Sequence, residues 1–298
     1  MNYERYCAGC RDKELNTTDD CCNLQLDHDG LPSRCVGPWS EDKLFYLRRY
    51  CDIFANGMKN KWRKRVFVDL FSGPGRCRVR PQGDFTEGSP LIALGQPFTN
   101  YFFVDLSAHC ISALQRRTSE VERTTGKKLN ILQDDANSCI DKLVEDIEGL
   151  GPDTIGFAFV DPTGIQLHFE TLRKLARSPR IDLLVNFPLG MNIQRQIWHQ
   201  LQKDPDLEGK FDRYFGTNKW RDICSGDQGG TRFRRHSLLQ LYEAQLKSLG
   251  YAYVGDVRSV KNRGVSLYLL IFASKNPRGR EFWENVTRKA PSGQGRLC

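Results

Sequence analysis

One short stretch, residues 66–75, constrains the fold more than any other part of this 298-residue chain. It reads VFVDLFSGPG: an apolar run rich in β-branched and aromatic residues ends in Asp69 and continues at once into a loop of small residues. Such a run predicts a buried strand. Gly73 and Gly75 let the backbone pass close to a ligand because neither has a Cβ. The stretch therefore predicts an open α/β sheet with a ligand loop at the carboxyl end of a strand, and a plain glycine-proline turn is the alternative.

The acid before the loop indicates what kind of ligand fits. Dinucleotide folds aim a helix N-terminus at a pyrophosphate and use the pattern G-x-G-x-x-G, and Asp69 would repel that phosphate. A ligand with a positively charged amino-acid end fits better, and S-adenosylmethionine (SAM) is the common one. We expect Asp69 to hold its methionine end, within a cofactor loop formed by Phe71, Ser72, Gly73 and Gly75.

The second predicted strand reads YFFVD and also ends in an acid. In nucleoside-binding α/β folds an acid at the position of Asp105 accepts hydrogen bonds from both ribose hydroxyls. The adjacent Leu106 belongs to the same predicted cofactor site. Beyond the third strand, Asp135 with Ala136 is placed to bind the adenine amino group. The alternative is that Asp135, or its neighbour Asp134, caps the next helix.

The fourth and fifth predicted strands supply the substrate side of the site. The fourth ends in Asp161 and Pro162, and it neighbours the first strand where the strand order reverses. We therefore expect Asp161 close to the cofactor, where it would orient the nucleophile. The fifth strand ends at Asn186, and Arg195 follows soon after it. These four residues form the predicted catalytic group.

The net charge of +8 is concentrated in one part of the sequence. Residues 219–298 carry a net charge of +9, so the rest of the chain is close to neutral. A basic face beside a ligand pocket predicts a polyanionic partner, with nucleic acid first, and a solvated basic surface is the alternative. No apolar run reaches the roughly 18 residues of a membrane span, and the N-terminus does not resemble a signal peptide. We expect a cytoplasmic protein without membrane contact.

Five of the eleven cysteines lie before residue 36. In a cytosolic chain this density favours thiols or a metal over disulfides. Cys7 and Cys10 have the C-x2-C spacing of half a zinc site, and residues 21–35, with Cys21 and Cys22 first and His28 and Cys35 after them, are candidates for the other half. The alternatives are an incidental cysteine-rich segment and iron-sulfur or redox chemistry.

The patterns divide the chain into three parts. Residues 1–39 form a cysteine-rich N-terminal extension, and residues 281–298 form a basic C-terminal tail. Residues 40–280 form a Rossmann-like α/β domain of the SAM-methyltransferase type. Its mostly parallel sheet ends in an antiparallel hairpin, and residues 190–236 form a helical cover whose aromatics either stack on bases or pack in the core.

Three local expectations accompany this division. Ser40 should cap the first helix, because Glu41 and Asp42 follow it in the first turn. The chain after Pro277 should fray. Arg76 and Glu87 lie in a polar insertion over the pocket and either reach the ligand or are solvated.

Several motifs, in one order, resemble the three-Cys-motif partner protein family between about residues 27 and 285. The motifs are DGLP at 29–32, VGPW at 36–39, DLFSGPGR at 69–76, EGSPL at 87–91, DPTG at 161–164 and NFP at 186–188. The resemblance implies a SAM-methyltransferase-like fold and a partner, a three-cysteine protein related to radical-SAM enzymes. The family name does not describe the N-terminal cysteines of this chain.

A weaker resemblance links Asp161 and Pro162 to the D-P-P-Y motif of amino-methyltransferases acting on nucleobases. There the acid takes a hydrogen bond from an exocyclic amine, and the tyrosine stacks on a flipped base. The two residues after Pro162 differ from that motif, so stacking would need Phe187 or Phe169.

Three functions fit these patterns. The first is a SAM-dependent methyltransferase acting on nucleic acid. The second is a partner protein that binds SAM or another protein without transferring a methyl group. The third is a magnesium-dependent nuclease with Asp69, Asp105 and Asp161 as metal ligands.

Overall fold

The computed structural model of the protein describes residues 24–79, 84–178, 180–188, 206–225, 231–262, 265–289 and 291. The strands in these ranges are β1 (Leu24–Leu26), β2 (Pro32–Val36), β3 (Lys64–Asp69), β4 (Arg76–Val79), β5 (Asp84–Glu87), β6 (Asn100–Asp105), β7 (Lys128–Gln133), β8 (Thr154–Val160), β9 (Ile181–Phe187), β10 (Tyr253–Asn262) and β11 (Val265–Ser274). The helices are α1 (Trp39–Met58), α2 (Ser89–Leu94), α3 (Ala108–Thr118), α4 (Val121–Thr125), α5 (Ile140–Glu148), α6 (Phe169–Leu175), α7 (Leu207–Phe215), α8 (Trp220–Ser225), α9 (Thr231–Ser248) and α10 (Pro277–Thr287).

Seven strands form one large sheet in the order β10-β11-β9-β8-β3-β6-β7. The five strands from β9 to β7 are mutually parallel. β11 runs antiparallel to β9, and β10 runs antiparallel to β11. The predicted Rossmann-like architecture, a parallel sheet finished by an antiparallel hairpin, is confirmed.

Side chains alternate between two cores, one on each face of this sheet. In β3, Val66 and Val68 belong to the core that includes residues of α5 and α6, whereas Phe67 belongs to the core that includes residues of α1. Because successive residues of a strand point to opposite faces, residues that share the parity of Phe67 face α1. This alternation also determines where the acid that ends β3 points.

Helix α1 buries one apolar stripe, as its spacing predicts. The buried positions include Leu47, Cys51 and Phe54, which recur every three to four residues. The expectation that Ser40 caps this helix is wrong. The N-cap is Pro38, no side chain caps the helix, and Ser40 is buried within the first turn.

A second, four-stranded sheet has the order β1-β2-β4-β5. Strands β4 and β5 form an antiparallel hairpin in the segment predicted to be a polar insertion, and β2 pairs in parallel with β4. Residues 24–36, which the sequence assigned to an N-terminal extension, therefore share a sheet with this insertion. The small sheet lies next to the glycine loop, since β4 begins directly after Gly75.

The expectation that the chain frays after Pro277 is wrong as far as Thr287. Asn276 caps α10 by accepting a hydrogen bond from the Arg278 amide. Trp283 is 2% exposed, and its ring stacks on Phe272 at 5.0 Å between centroids. The apolar face of α10 thus packs against the sheet, although charged residues separate its apolar positions in the sequence. This packing includes residues 281–287, the first part of the predicted tail.

The described part of the helical cover uses its aromatics for packing. Phe211, Tyr214, Phe215 and Trp220 are all buried. Tyr214 stacks on Phe187 at the end of β9, with 5.8 Å between ring centroids. The packing alternative is thus confirmed for these four rings.

Within the described residues, none of the helices has both the length and the apolar character that crossing a membrane requires.

Candidate functional site

The loop after β3 has the backbone shape that its glycines predict. Gly73 and Gly75 have φ angles of +62° and +87°, a region that other residues rarely adopt. A Cβ on Gly75 would lie 3.0 Å from Leu114 Cδ1 in α3. The Ser72 amide donates to the Val104 carbonyl at 2.9 Å and ties the loop to β6. These contacts fix the conformation of the loop at the carboxyl edge of the sheet.

The acids of three neighbouring strands point to the same face at this edge. Asp69 pairs with Phe103 in β6 and with Phe159 in β8. Asp105 and Asp161 each lie two residues further on, about 7 Å along the strand direction. Positions two apart share a face, so all three carboxylates lie on the α1 side. The predicted convergence of these acids is what the structure shows.

Asp69 is fully buried and incompletely hydrogen-bonded. Its Oδ1 accepts from the Phe71 amide at 3.2 Å, while its Oδ2 has no hydrogen-bond partner among the described residues. Burial raises the pKa of Asp69 to about 7, and the Ser89 hydroxyl and the Phe71 amide offset this only in part. The Ser72 hydroxyl is likewise buried without a described partner.

Asp105 organises the same loop. Its Oδ2 accepts from the Gly73 amide at 2.8 Å, and its Oδ1 accepts from the Ser107 amide at 2.9 Å. Arg34 from β2 also donates to Oδ2, at 3.4 Å. A carboxylate has about four acceptor sites, so this geometry leaves room on Oδ1 for one more donor.

Asp161 is held between a cation and an amide. Its Oδ2 lies 2.5 Å from Lys43 Nζ near the N-terminus of α1, and its Oδ1 accepts from Asn186 Nδ2 at 2.6 Å. Asn186 is 1% exposed, and its Oδ1 lacks a partner within the described ranges. Pro162 is buried directly after Asp161. The structure therefore brings together three of the four predicted catalytic residues, and Arg195 lies outside the described residues.

Lys43 and Arg34 were not anticipated by the sequence analysis. A weak signal existed for Lys43, because the N-terminus of α1 had to lie near the strand ends if α1 covers the sheet. Nothing comparable marked Arg34, whose strand was assigned to an irregular extension. The two cations partly neutralise the acids at this edge.

A buried arginine ties the small sheet to the glycine loop. Arg117 in α3 is 5% exposed, and its Nη1 donates to the carbonyls of Pro74 at 2.6 Å and Pro32 at 2.7 Å. Its Nε and Nη2 reach both oxygens of Asp29 at 2.8 and 2.9 Å, and this hydrogen bonding lowers the pKa of Asp29. The DGLP segment thus positions the loop from outside the large sheet.

Arg76 and Glu87 each form an ion pair with a residue other than the three convergent aspartates. Arg76 Nε lies 2.9 Å from Asp27, whose side chain is buried. Glu87 forms an ion pair with Arg48 at 3.0 Å, in which both side chains are about half exposed. The expectation that either side chain reaches the ligand stays a prediction.

The proposed stacking role of Phe187 and Phe169 is also wrong. Both rings have no exposed surface. Each packs against Tyr242, with 4.8 Å between ring centroids for Phe187 and 5.6 Å for Phe169. A base at the carboxyl edge cannot reach either ring.

At the end of β7, the third strand predicted from the sequence, Asp135 has the capping role that was the alternative to adenine binding. Asp135 Oδ1 accepts from the amides of Asn137 at 2.8 Å and Ser138 at 3.1 Å, which caps the turn before α5. Ala136 is buried below it, whereas Leu106 after β6 is 66% exposed. The adenine-binding role of Asp135 and Ala136 stays a prediction.

The metal predictions have two outcomes. Cys7, Cys10, Cys21 and Cys22 lie outside the described residues, so the zinc site stays a prediction. In the described part of the chain, no group of three or more His, Cys, Asp or Glu side chains is placed to hold a metal ion. The three convergent aspartates are thus not arranged as the ligand set that the nuclease hypothesis requires.

Comparison with solved structures bears on the fold. The chain is similar to protein LPL1258 from Legionella pneumophila, of the DUF519 family model, with a TM-score of 0.50 and 10% identity over 86% of this chain and 94% of that one. It also aligns with Trm1 from Pyrococcus horikoshii in complex with S-adenosyl-L-methionine, with a TM-score of 0.42 and 15% identity over 80% of this chain and 57% of that one. M. jannaschii TYW2 in complex with AdoMet aligns with a TM-score of 0.39 and 10% identity over 84% of each chain.

The sheet order and the likeness to LPL1258 show a Rossmann-like α/β fold. No protein-family model matches the sequence, and no curated protein matches it. The resemblance to the three-Cys-motif partner family stays a prediction.

Proposed function

We propose that the protein is a SAM-dependent methyltransferase that acts on nucleic acid. One observation carries this proposal: three buried polar atoms without described partners surround the carboxyl edge of the sheet, namely Asp69 Oδ2, Ser72 Oγ and Asn186 Oδ1. Buried polar atoms of native proteins almost always have partners, and each unsatisfied one costs about 1–3 kcal/mol. A polar ligand at this edge would satisfy them.

The residues at the edge fit the parts of SAM in order. The Asp69 carboxylate, with the Phe71 and Ser72 loop, would hold the amino-acid end. The left-handed Gly73 and Gly75 let the ligand approach the backbone closely.

The nucleoside end would lie toward β6 and β7. Asp105 would accept from the ribose, and the exposed Leu106 would cover the adenine. Asp135 and Ala136 would contact the adenine amino group.

When bound, SAM supplies an electrophilic methyl group on sulfur. The chain contributes alignment of the acceptor with that methyl group, which needs no covalent intermediate. Asp161 would accept the N–H of an amine acceptor, and Asn186 Oδ1 would accept a second donor. Asp161 Oδ2 accepts from Lys43 and keeps a second acceptor site for the N–H of the acceptor.

Charge supports nucleic acid as the substrate class. The chain has a net charge of +8, and Arg34 and Lys43 reduce the negative charge of the acids at the edge itself. Arg195 is proposed on the substrate side. The zinc site and the radical-SAM-like three-cysteine partner stay predictions of the sequence.

The test is transfer of a radiolabelled methyl group from SAM to total RNA and to DNA. We expect incorporation by the wild-type protein, and at least a hundredfold loss in Asp161→Asn, which keeps the size of the side chain but removes its charge. Asp141→Asn is the matched control, because Asp141 is an exposed acid paired with Lys174. SAM binding without incorporation into either nucleic acid would contradict the proposed activity.

A further inference from the structure

A cavity lies at the opposite, amino-terminal edge of the large sheet. It has a volume of about 310 Å³ and opens between α1 and α10. Its floor is apolar and consists of Phe54, Met58, Ile155 and Phe282. The cavity is within the size range of small-molecule sites and has the apolar lining usual for them.

The side chain of Trp62 forms an aromatic wall at one side of this cavity. Trp62 follows α1 and is half-buried. Its amide donates to the Met58 carbonyl at 3.0 Å, and its own carbonyl accepts from Arg65 Nη1 at 2.6 Å. The Arg180 guanidinium lies 5.0 Å from the centroid of the Trp62 ring. The backbone of the tryptophan is therefore fixed, and a cation already stacks on the ring.

Positive charge surrounds the cavity. Lys61, Arg180, Lys275 and Arg278 line it, and Lys61, Arg180 and Arg278 are exposed. Three more exposed cations, Lys59, Arg63 and Lys64, flank Trp62 in the sequence. The basic surface is thus longer than a single phosphate group and continues beyond the cavity.

Two acids lie close to these cations. Glu281 forms an ion pair with Arg278 at 3.1 Å. Asp182 lines the cavity but is 9% exposed, and its Oδ2 accepts from the Tyr50 hydroxyl at 2.7 Å. It is a structural acid that packs against Gly279 of α10, where a Cβ would lie 2.8 Å from Asp182 Oδ2. The exposed rim of the cavity remains strongly positive.

We propose that this cavity binds one nucleotide of a single-stranded nucleic acid, with the base against Trp62 and the phosphates on Lys61, Arg180 and Arg278. Bases stack on aromatic side chains irrespective of sequence, and a groove of cations follows the backbone. The flanking Lys59, Arg63 and Lys64 extend the binding surface to neighbouring phosphates. This site lies about 20 Å from the carboxyl edge, the length of a seven-residue strand such as β8. It does not depend on methyl transfer.

The test measures binding of a fluorescein-labelled five-nucleotide oligoadenylate to the full chain without SAM. The variant Lys61→Gln with Arg278→Gln should weaken binding at least tenfold and make the salt dependence shallower. The control, Arg123→Gln with Lys142→Gln, removes two exposed, ion-paired cations elsewhere on the surface, and it should change affinity less than twofold. Equal weakening by both pairs, or by neither, would overturn the proposal.

The role of the aromatic wall is tested separately. Trp62→Phe keeps a stacking surface and should bind within about threefold of wild type, whereas Trp62→Ser should lose on the order of tenfold, consistent with the energy of base stacking. Thermal unfolding of both variants checks that they fold. Adenosine monophosphate competing as tightly as the oligonucleotide would overturn the assignment to a strand. Because SAM is absent, a negative result leaves the methyltransferase proposal intact.

Discussion

The two edges of the large sheet carry opposite charges on the same scaffold. At the carboxyl edge, Asp69, Asp105 and Asp161 converge on one face, and at the amino edge Lys61, Arg180 and Arg278 surround a cavity. The difference follows from the strand sequences: parallel strands place all their first residues at one edge and all their last residues at the other. A chain that ends its strands in acids and precedes β3 with a basic run therefore separates the two charges by the length of a strand.

The two edges also differ in how their buried acids are hydrogen-bonded. Asp182, which lines the amino-edge cavity, is matched by the hydroxyls of Tyr50 and Ser274. At the carboxyl edge, buried oxygens of Asp69 and Asn186 have no partner in the described ranges. The pairing of Asp182 is that of a structural acid, whereas the unpaired oxygens of Asp69 and Asn186 are acceptors that the proposed ligand would fill.

The largest effect should come from the glycine loop. Gly75→Ala places a Cβ against Leu114 at a φ of +87°, so we expect SAM affinity to fall at least a hundredfold. Gly126→Ala is the control, because Gly126 has a φ of +69° and open space around its Cβ position. Both variants should lose about 1–2 kcal/mol of stability from the left-handed conformation. Calorimetric titration with SAM distinguishes the two variants. Equal SAM affinity in both would show that the glycine loop does not contact SAM.

The second effect concerns Asp182 at the amino edge. Burial raises its pKa to about 6 from 3.8, so the folded state binds a proton that the unfolded state has released. The free energy of unfolding therefore falls as the pH rises from about 4 to 6, by on the order of 3 kcal/mol, and is constant above that. Asp182→Asn should flatten this part of the profile.

Urea unfolding at a series of pH values measures the Asp182 contribution. Asp141→Asn, at an exposed acid, should keep the wild-type profile. If Asp182→Asn keeps that profile too, its carboxyl does not titrate in this range.

A smaller effect, of opposite sign in pH, is expected for ligand binding at Asp69. Its pKa of about 7 means that the carboxyl is mostly protonated at pH 6. A ligand ammonium group requires the ionised form, so SAM affinity should be on the order of tenfold weaker at about pH 6 than at about pH 7.5. Calorimetry at both pH values tests this, with Asp69→Asn as a variant whose affinity should not change with pH. A wild-type affinity that is constant over this range would exclude contact between Asp69 and the ligand cation.

The smallest effect is expected at Glu87. Its ion pair with Arg48 is half exposed, and such pairs contribute about 0–1 kcal/mol. Glu87→Gln should therefore leave SAM affinity within twofold of wild type and shift the unfolding midpoint only slightly. A large loss of affinity in the same titration would show that the hairpin rearranges over the site.

The fold was largely predictable because its signal is local. Each parallel strand is a short apolar run, and three of these runs continue directly into the acids that mark the site. The partners of those acids were not predictable, since Arg34 and Lys43 come from segments far away in the sequence. Hydrophobic periodicity does not show which distant cation meets which carboxylate.

The errors have the same physical origin. The segment after Pro277 looked like a frayed basic tail because its apolar residues, Trp283 and Val286, are few and separated by charges. The net charge of whole regions likewise does not reveal the basic run at 59–65, which tertiary structure brings next to Arg278. Both surfaces exist only once α10 packs beside α1.

The most direct test of the account is titration of the wild-type protein with SAM, compared with Asp105→Ala at the carboxyl edge and the Lys61→Gln with Arg278→Gln variant at the amino edge. We expect wild type and the amino-edge variant to bind SAM with the same affinity, and Asp105→Ala to bind at least tenfold more weakly, since hydrogen bonds to a charged group contribute about 1.5–3 kcal/mol. No heat of binding in the folded wild type, or equal affinity in Asp105→Ala, would contradict the assignment of the carboxyl edge as the cofactor site.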